Sequence, residues 1–184
     1  MQEFVYLLAK VQMETIAKTK PNFYKIDSNI QKDLSVLLNI TNKTKNLFLE
    51  SLFPKEITNY LFYFLSEDFF KNKIEFDSFC YYLVVQNNET IGFFSCKNQN
   101  NTLYIADIFL TKEYQNKGIG KNIIEFLKNK AQTLNIKTIQ TAIYQNDSKS
   151  RTFFEKMAFK KRSAQAKYLG SDIYLFEDIF ELTN

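Results

Sequence analysis

The segment Gln115-Asn116-Lys117-Gly118-Ile119-Gly120-Lys121 holds two of the four glycines in this 184-residue chain, one residue apart. Glycine loses more backbone freedom on folding than any other residue, so two in one turn of a glycine-poor chain need a reason. A β-rich apolar run precedes the segment, and an apolar stripe of helical spacing follows it. It therefore reads as a strand-to-helix turn. Main-chain N–H groups at the start of a helix form a concavity for anions, reinforced by the helix dipole. Lys117 and Lys121 add positive charge. That is the chemistry of a pyrophosphate cradle; a plain turn needing two glycines is the other reading. The P-loop GxxxxGK[ST] fails, because Asn122 follows Lys121 and no glycine stands at the earlier position. The Rossmann GxGxxG fails at Ile123, where its third glycine belongs.

The elements around this turn follow from periodicity. Residues 1–20 have a helical spacing of apolar positions (Phe4, Leu7, Leu8, Val11) that Pro21 ends. A short strand is predicted over 23–26, a helix from about Ile30 bearing Leu34, Leu37 and Leu38, and a second helix from Thr58 bearing Leu61, Phe62, Leu65 and Phe69. Residues 81–85 and 90–96 flank Gln86-Asn87-Asn88-Glu89 as a hairpin, and a turn over 98–101 leads to a third strand over 103–110. The helix after the glycine turn carries Ile119, Ile123, Ile124, Leu127, Ala131 and Leu134 on one face. A strand over 138–144, an Asn146-Asp-Ser cap, a helix over 150–157 and strands over 160–167 and 173–182 complete the chain. Strand 103–110, helix 119–134 and strand 138–144 form a βαβ unit, whose strands must run parallel with a right-handed crossover. The fold class is α/β in the α+β sense, in one domain.

Composition narrows the chemistry. With 45% hydrophobic and 24% charged residues, the chain is that of a globular protein. Absence of histidine leaves no His-based triad and argues against a zinc site, so no metal is expected. Cys80 and Cys96 form no CxxC pair and are too few for a disulfide framework. No apolar run approaches the ~20 residues of a membrane helix, and the N-terminus does not read as a signal peptide. The reading is cytoplasmic. Net charge is +4, but residues 112–167 carry 13 Lys/Arg against four acids. Such a segment faces nucleic acid, an anionic membrane, a phosphorylated small molecule, or only solvent.

Gln115-Asn116-Lys117-Gly118-Ile119-Gly120 matches the Q/R-x-x-G-x-G/A pattern of the GNAT superfamily of N-acetyltransferases. "LYIADIFLTKEYQNKGIGKNIIEFLKNKA" resembles that family's central strand, phosphate loop and helix. "YQNDSKSRTFFEKMAF" resembles its later strand-end Asn and aromatic helix, and "KYLGSDIYLFEDIFEL" its closing hairpin. The resemblance covers about residues 22–182 and implies a mixed, mostly antiparallel sheet flanked by helices, with the parallel βαβ unit at its centre. Residues 21–184 would form this domain, with 1–20 as a helical extension. Acetyl-CoA is the implied donor, without a metal. By position, Ile108, Phe109 and Leu110 would offer backbone groups to pantetheine, and Gln115, Asn116, Lys117, Gly118, Ile119, Gly120 and Lys121 would wrap the pyrophosphate. Asn146 would reach the pantetheine arm, and Ser150 and Phe153 would line its other side. Lys156 would approach cofactor phosphate or remain a solvated helix lysine. The basic balance of 112–167 would then surround a polyanionic cofactor.

Two positions bear on catalysis. Phe154 stands where the family often has the tyrosine that protonates the departing thiolate, and Tyr144, Tyr168 and Tyr174 are the candidates to replace it. A catalytically weak or inactive acyl-CoA-binding module is therefore an alternative to an active acyltransferase, and a basic nucleic-acid-binding protein a more distant one. Asp107 is the one acid on the central strand, and a buried charge needs a reason. It is the candidate base or substrate-binding group; a solvated edge position and a salt bridge to lysine are the other readings. The expected acceptor is a primary amine, on a polyamine, another small molecule or a protein. Residues 30–75 and the last hairpin would select it. Asp172, Glu177 and Asp178 there suit a cationic amine or lie in solvent. The assembly is read as a monomer or homodimer.

Overall fold

The computed structural model describes residues 20–26, 31–53, 55, 57–58, 61, 65–170 and 173–183, so the predicted N-terminal helix and Asp172 fall outside the described residues. One seven-stranded sheet organises them, in the order β1-β2-β3-β4-β5-β7-β6. The strands are β1 (Asn22–Lys25), β2 (Cys80–Gln86), β3 (Glu89–Gln99), β4 (Thr102–Leu110), β5 (Thr138–Tyr144), β6 (Lys160–Gly170) and β7 (Ile173–Thr183). Helices α1 (Gln31–Leu52) and α2 (Glu67–Glu75) precede β2; α3 (Ile119–Thr133) and α4 (Ser148–Lys156) flank β5. Every adjacent pair is antiparallel except β4–β5, the two strands that α3 joins.

Asparagine-rich turns fix the meander. Asn87 and Asn88 both have positive φ, as do Asn100 and Asn101, the conformation a two-residue type I′ hairpin turn requires. Thr58 and Leu61 of the helix expected from Thr58 are helical, residues 59–60 and 62–64 lie outside the described residues, and Leu65 and Ser66 interrupt the run before α2. Ser66 caps α2, its side chain accepting from the Phe69 N–H at 3.3 Å, with Glu67 and Asp68 in the first turn. A side-chain oxygen at the N-cap and acids behind it start a new helix inside the single apolar spacing that runs from Thr58 to Phe69.

Alternation divides the core between the two faces of the sheet. Leu34, Leu37 and Ile40 of α1 and Phe70 of α2 pack on Tyr81, Leu83 and Phe93. On the other face, Ile119, Ile123, Ile124 and Leu127 of α3 and Phe154 of α4 pack on Phe94, Leu103, Ile105, Ile139, Ile143 and Phe180. Phe154 is 6% exposed, between the rings of Phe153 and Phe159, with centroids 5.1 Å away in each case. Burying about 25 cal/mol per Å² of such surface is the main favourable term in folding.

Ala158, past the end of α4, has φ +68°. A Cβ in that left-handed region is strained, which is why glycine is usual there. Ala158→Gly is expected to raise stability by about 1 kcal/mol. Urea unfolding of both proteins checks this; a variant no more stable than the parent would show the strain to be absorbed elsewhere.

Candidate active site

The parallel pair opens partway along. β4 and β5 are in register from Thr102↔Thr138 to Ile105↔Thr141, and pairing stops there, although β4 runs on to Leu110 and β5 to Tyr144. Thr141 marks the parting, its Oγ1 donating to the Ile105 carbonyl at 3.1 Å. Beyond it, β4 pairs only with β3, as far as Gly92↔Leu110, and β5 only with β7, as far as Tyr144↔Glu177. The edge of β4 over 106–110 therefore turns backbone polar groups into a cleft instead of into a strand.

A β-bulge causes the divergence. Ser95 pairs with Asp107 and the next residue, Cys96, with Ile105, so Ala106 is an extra residue in β4. A bulge bends its strand and re-aims the side chains after it. Strict alternation would put Asp107 on the α3/α4 face with Leu103 and Ile105. Instead Ile108 and Leu110 pack on that face and Phe109 on the other, and Asp107 meets Ser95 and Tyr81 on the α1/α2 face.

Asp107 is thus not a solvated edge residue, and among the described residues it is not half of a close ion pair. Ser95 Oγ donates to its Oδ2 at 2.5 Å, and the Tyr81 hydroxyl hydrogen bonds the same carboxyl. Burial pushes this carboxyl above the ordinary carboxylate range; the two hydrogen bonds, and then Lys167 and Lys73, oppose the shift without reversing it. Burial likewise raises Tyr81, so its phenol keeps its proton and donates. A carboxylate of raised basicity beside an open strand edge is a group able to take a proton.

On the other side of the cleft lies the glycine turn. Gln115 folds back on β4 at the surface, its Nε2 donating to the Leu110 carbonyl at 2.9 Å and so fixing the loop to the end of the strand. Asn116 (φ +59°) and Gly118 (φ +81°) reverse the chain, and Gly118 is the N-cap of α3. The first helical bond is Asn122 N–H to the Gly118 carbonyl, so the N–H groups of Ile119, Gly120 and Lys121 have no intrahelical acceptor. The Ile119 side chain is buried in the core, leaving its backbone for a ligand. Lys117 and Lys121 are exposed, with Lys117 Nζ 5.4 Å from the Tyr114 ring centroid.

Gly120 has a further reason. A Cβ there would lie 2.9 Å from Phe153 Cε2, so the first turn of α3 meets α4 at this glycine. The structure thereby brings Gly120 and Phe153 together. Ser150, one turn earlier, donates its N–H to the Asp147 carboxylate that caps α4. Asn146 is exposed past the end of β5, its Nδ2 donating to the Tyr144 hydroxyl at 3.1 Å. Lys156 is exposed in the last turn of α4. Tyr168 and Tyr174 pair across the last hairpin, 59% and 50% exposed, whereas Tyr144 ends a strand that borders the cleft.

Glu177 and Asp178 of the last hairpin are not in solvent. Asp178 is buried and ion-paired with Arg151 at 3.1 Å and Lys161 at 2.7 Å, and Glu181 with Arg162 at 3.3 Å. Part of the basic surplus of 112–167 is thus neutralised within the fold. Glu177 is buried on the other face and accepts from Gln165 at 2.8 Å. Ser95 and Tyr81 were not among the expected site residues, and the signal for Ser95 was a lone hydroxyl in the apolar run Phe93-Phe94-Ser95-Cys96.

Residues 44–159 match the Acetyltransferase (GNAT) family. The chain belongs to this family. An uncharacterised N-acetyltransferase from the pepI 3′ region of Lactobacillus delbrueckii subsp. lactis is 22% identical over 151 residues, covering 77% of this chain and 87% of the relative. The crystal structure of PaiA N-acetyltransferase from Thermoplasma acidophilum, in complex with coenzyme A, superposes with a TM-score of 0.73 at 18% identity, covering 90% of this chain and all of that one. Spermidine/spermine N-acetyltransferase SpeG from Vibrio cholerae superposes with a TM-score of 0.62 at 16% identity, covering 91% and 94%. At these identities the two structures speak for the GNAT fold, which this chain has. No helix among the described residues is long and apolar enough to cross a membrane.

Proposed function

We propose that this GNAT protein is an acetyl-CoA-dependent N-acetyltransferase acting on a primary amine, of a small molecule or of a protein. The observation that carries the reading is the cleft between β4 and β5, with a glycine turn presenting free N–H groups on one side and Asp107 on the other. The residues fit the cofactor. Ile119, Gly120 and Lys121 offer main-chain donors to a pyrophosphate, Lys117 and Lys121 offer charge, and the β4 edge over 106–110 offers partners for the amides of pantetheine. Asn146, Ser150 and Phe153 border the opposite side. Acetyl-CoA supplies the acetyl group as a thioester, which passes to the amine nitrogen as the thiol leaves.

The remaining work falls to side chains of this chain. A lysine-like amine has a pKa near 10.4 and is protonated at neutral pH. Asp107, anchored by Ser95 and Tyr81, takes that proton, and positioning of the two reactants supplies much of the rest of the acceleration. Phe154 has no proton to give, but a thiol of pKa about 8.5 is a tolerable leaving group near neutral pH. We assign the activity to a domain over residues 21–184, in the cytoplasm, with 1–20 as an extension.

Calorimetric titration with acetyl-CoA tests this reading. Saturable binding in the micromolar range is expected, with thiol release when an amine is added. A folded protein that binds no acetyl-CoA would overturn it, and binding without thiol release over a broad amine panel would favour a cofactor-binding module instead.

A further inference from the structure

A groove of about 430 Å³ opens on the α1/α2 face beside the start of β4. Among the described residues, its only charged lining residues are Lys73 and Lys97. Both ammonium groups lie over the Phe79 ring, 5.1 and 4.8 Å from its centroid. Lys73 also pairs with Asp77 at 2.5 Å, whereas Lys97 makes no ion pair among the described residues. One exposed carboxylate thus faces two cations at this rim of the groove, with Asp107 and Glu177 the next acids, on the far side of Tyr104.

The groove lies on the same face of the sheet as Asp107, a short step along β3 and β4 from it. Lys97 pairs across the sheet with Tyr104, which lines the groove, and Ser95, two residues earlier on the same face of β3, holds Asp107. Lys73 is near enough to act on the Asp107 carboxyl, and Asp107 and Glu177 act on Tyr104. Two residues of strand span roughly 7 Å. The acids beyond the groove already have donors: Glu177 accepts from Gln165 at 2.8 Å, and Glu181 from Gln140 at 3.0 Å and from Arg162 at 3.3 Å. What Gln140 and Gln165 present to the groove is carboxamide, not negative charge. A polycation entering here would meet two lysines.

We propose that this groove is an anion-accepting subsite of the acceptor site, in which Lys97, assisted by Lys73, holds a carboxylate or phosphate on the substrate while its amine is presented to Asp107. The proposal rests on the acetyltransferase reading and narrows its acceptor to an amine that also carries an anion.

The test uses matched acceptors: the dipeptide amides Gly-Glu-NH2 and Gly-Gln-NH2, phosphoethanolamine against ethanolamine, and spermidine. Gly-Glu-NH2 should exceed its neutral isostere in kcat/KM by about threefold to fivefold, the upper scale of one accessible charge pair. Lys97→Ala should abolish that advantage by raising KM with kcat unchanged, and Lys97→Arg should retain it. The phosphoethanolamine pair tells a phosphate preference from a carboxylate one. Equal rates for charged and neutral partners, preference for spermidine, or an advantage that survives Lys97→Ala would overturn the subsite while leaving the transferase standing. A readout independent of turnover is amide chemical-shift change in the acetyl-CoA-loaded protein on titration with Gly-Glu-NH2. Saturable shifts at Lys97, Gln99 and Tyr104, absent with Gly-Gln-NH2, are expected; their absence would overturn the subsite even in a protein that releases no thiol. Failure to bind acetyl-CoA is a separate result, against the underlying reading.

Discussion

Asp107→Asn lowers turnover by about 10²–10⁴, the span of a lost general base, while acetyl-CoA affinity stays within about threefold. Asparagine keeps an oxygen for the Ser95 and Tyr81 hydroxyls but cannot take a proton from the amine. The pH profile carries the diagnosis. Burial raises the carboxyl's pKa in the folded protein, so the base form is lost as pH falls through that raised value. Wild-type kcat/KM should lose activity on the acid side at a pH above the ordinary carboxylate range, and the variant should lack that inflection. Its deficit is greatest where the carboxylate is ionised and the amine still protonated.

Stability should move the other way. A carboxyl whose folded pKa is raised destabilises the fold once it ionises, and that penalty disappears below its unfolded value. Asp107→Asn should therefore melt at or above the wild-type temperature at neutral pH, and the gap should shrink as the solution is acidified. Slower turnover in an equally or more stable protein separates a proton acceptor from a structural strut. A variant as fast as wild type at every pH would remove Asp107 from the chemistry.

Local physics made much of this fold readable. β5 alternates between buried and half-buried positions and has the bounds its sequence implied. Asparagine pairs announced both hairpin turns, and the apolar stripe of α3 faces the core from Ile119 to Ala131, whereas Leu134, expected on the same face, is the C-cap and is 47% exposed. What stayed hidden depends on partners far apart in the chain. The extra residue Ala106 follows no local pattern; it is a matter of register between β3 and β4, and without it Asp107 would face the opposite side. Asp178 was read as a hairpin acid facing an acceptor or solvent, because Arg151 and Lys161 reach it only once β5, α4 and β6 have packed. The position of Phe154 was legible as a departure from a family pattern, but its burial between two rings was not. The glycine turn was half legible: Gly118 serves the backbone conformation, whereas Gly120 also makes room for a ring from another helix.

That division shapes the second large effect, expected for Gly120→Val. The variant should lose acetyl-CoA affinity by at least about tenfold, equivalent to some 1.4 kcal/mol, and about 1–3 kcal/mol of stability from overpacking. The first Cβ atom already meets Phe153 Cε2 at 2.9 Å, and valine adds two methyl groups at a stiff β-branch. The half-buried Phe153 ring must move, and its contact with Phe154 passes the strain into the core. Gly118→Ala is the complementary probe. Gly118 has φ +81° with nothing within 4 Å of an added Cβ, so alanine there strains the backbone without any clash. The two causes in Gly120→Val separate when Phe153→Ala is added. Removing the ring should restore most of the lost stability, because that loss is steric. It should not restore affinity, because the valine still covers the N–H groups at the start of α3 and Phe153 itself borders the cleft. Calorimetry and urea unfolding on the singles and the double give the coupling directly. Unchanged acetyl-CoA affinity in folded Gly120→Val would mean that the phosphates are held away from this turn; recovered affinity in the double would mean that the glycine serves only the packing of α3 on α4.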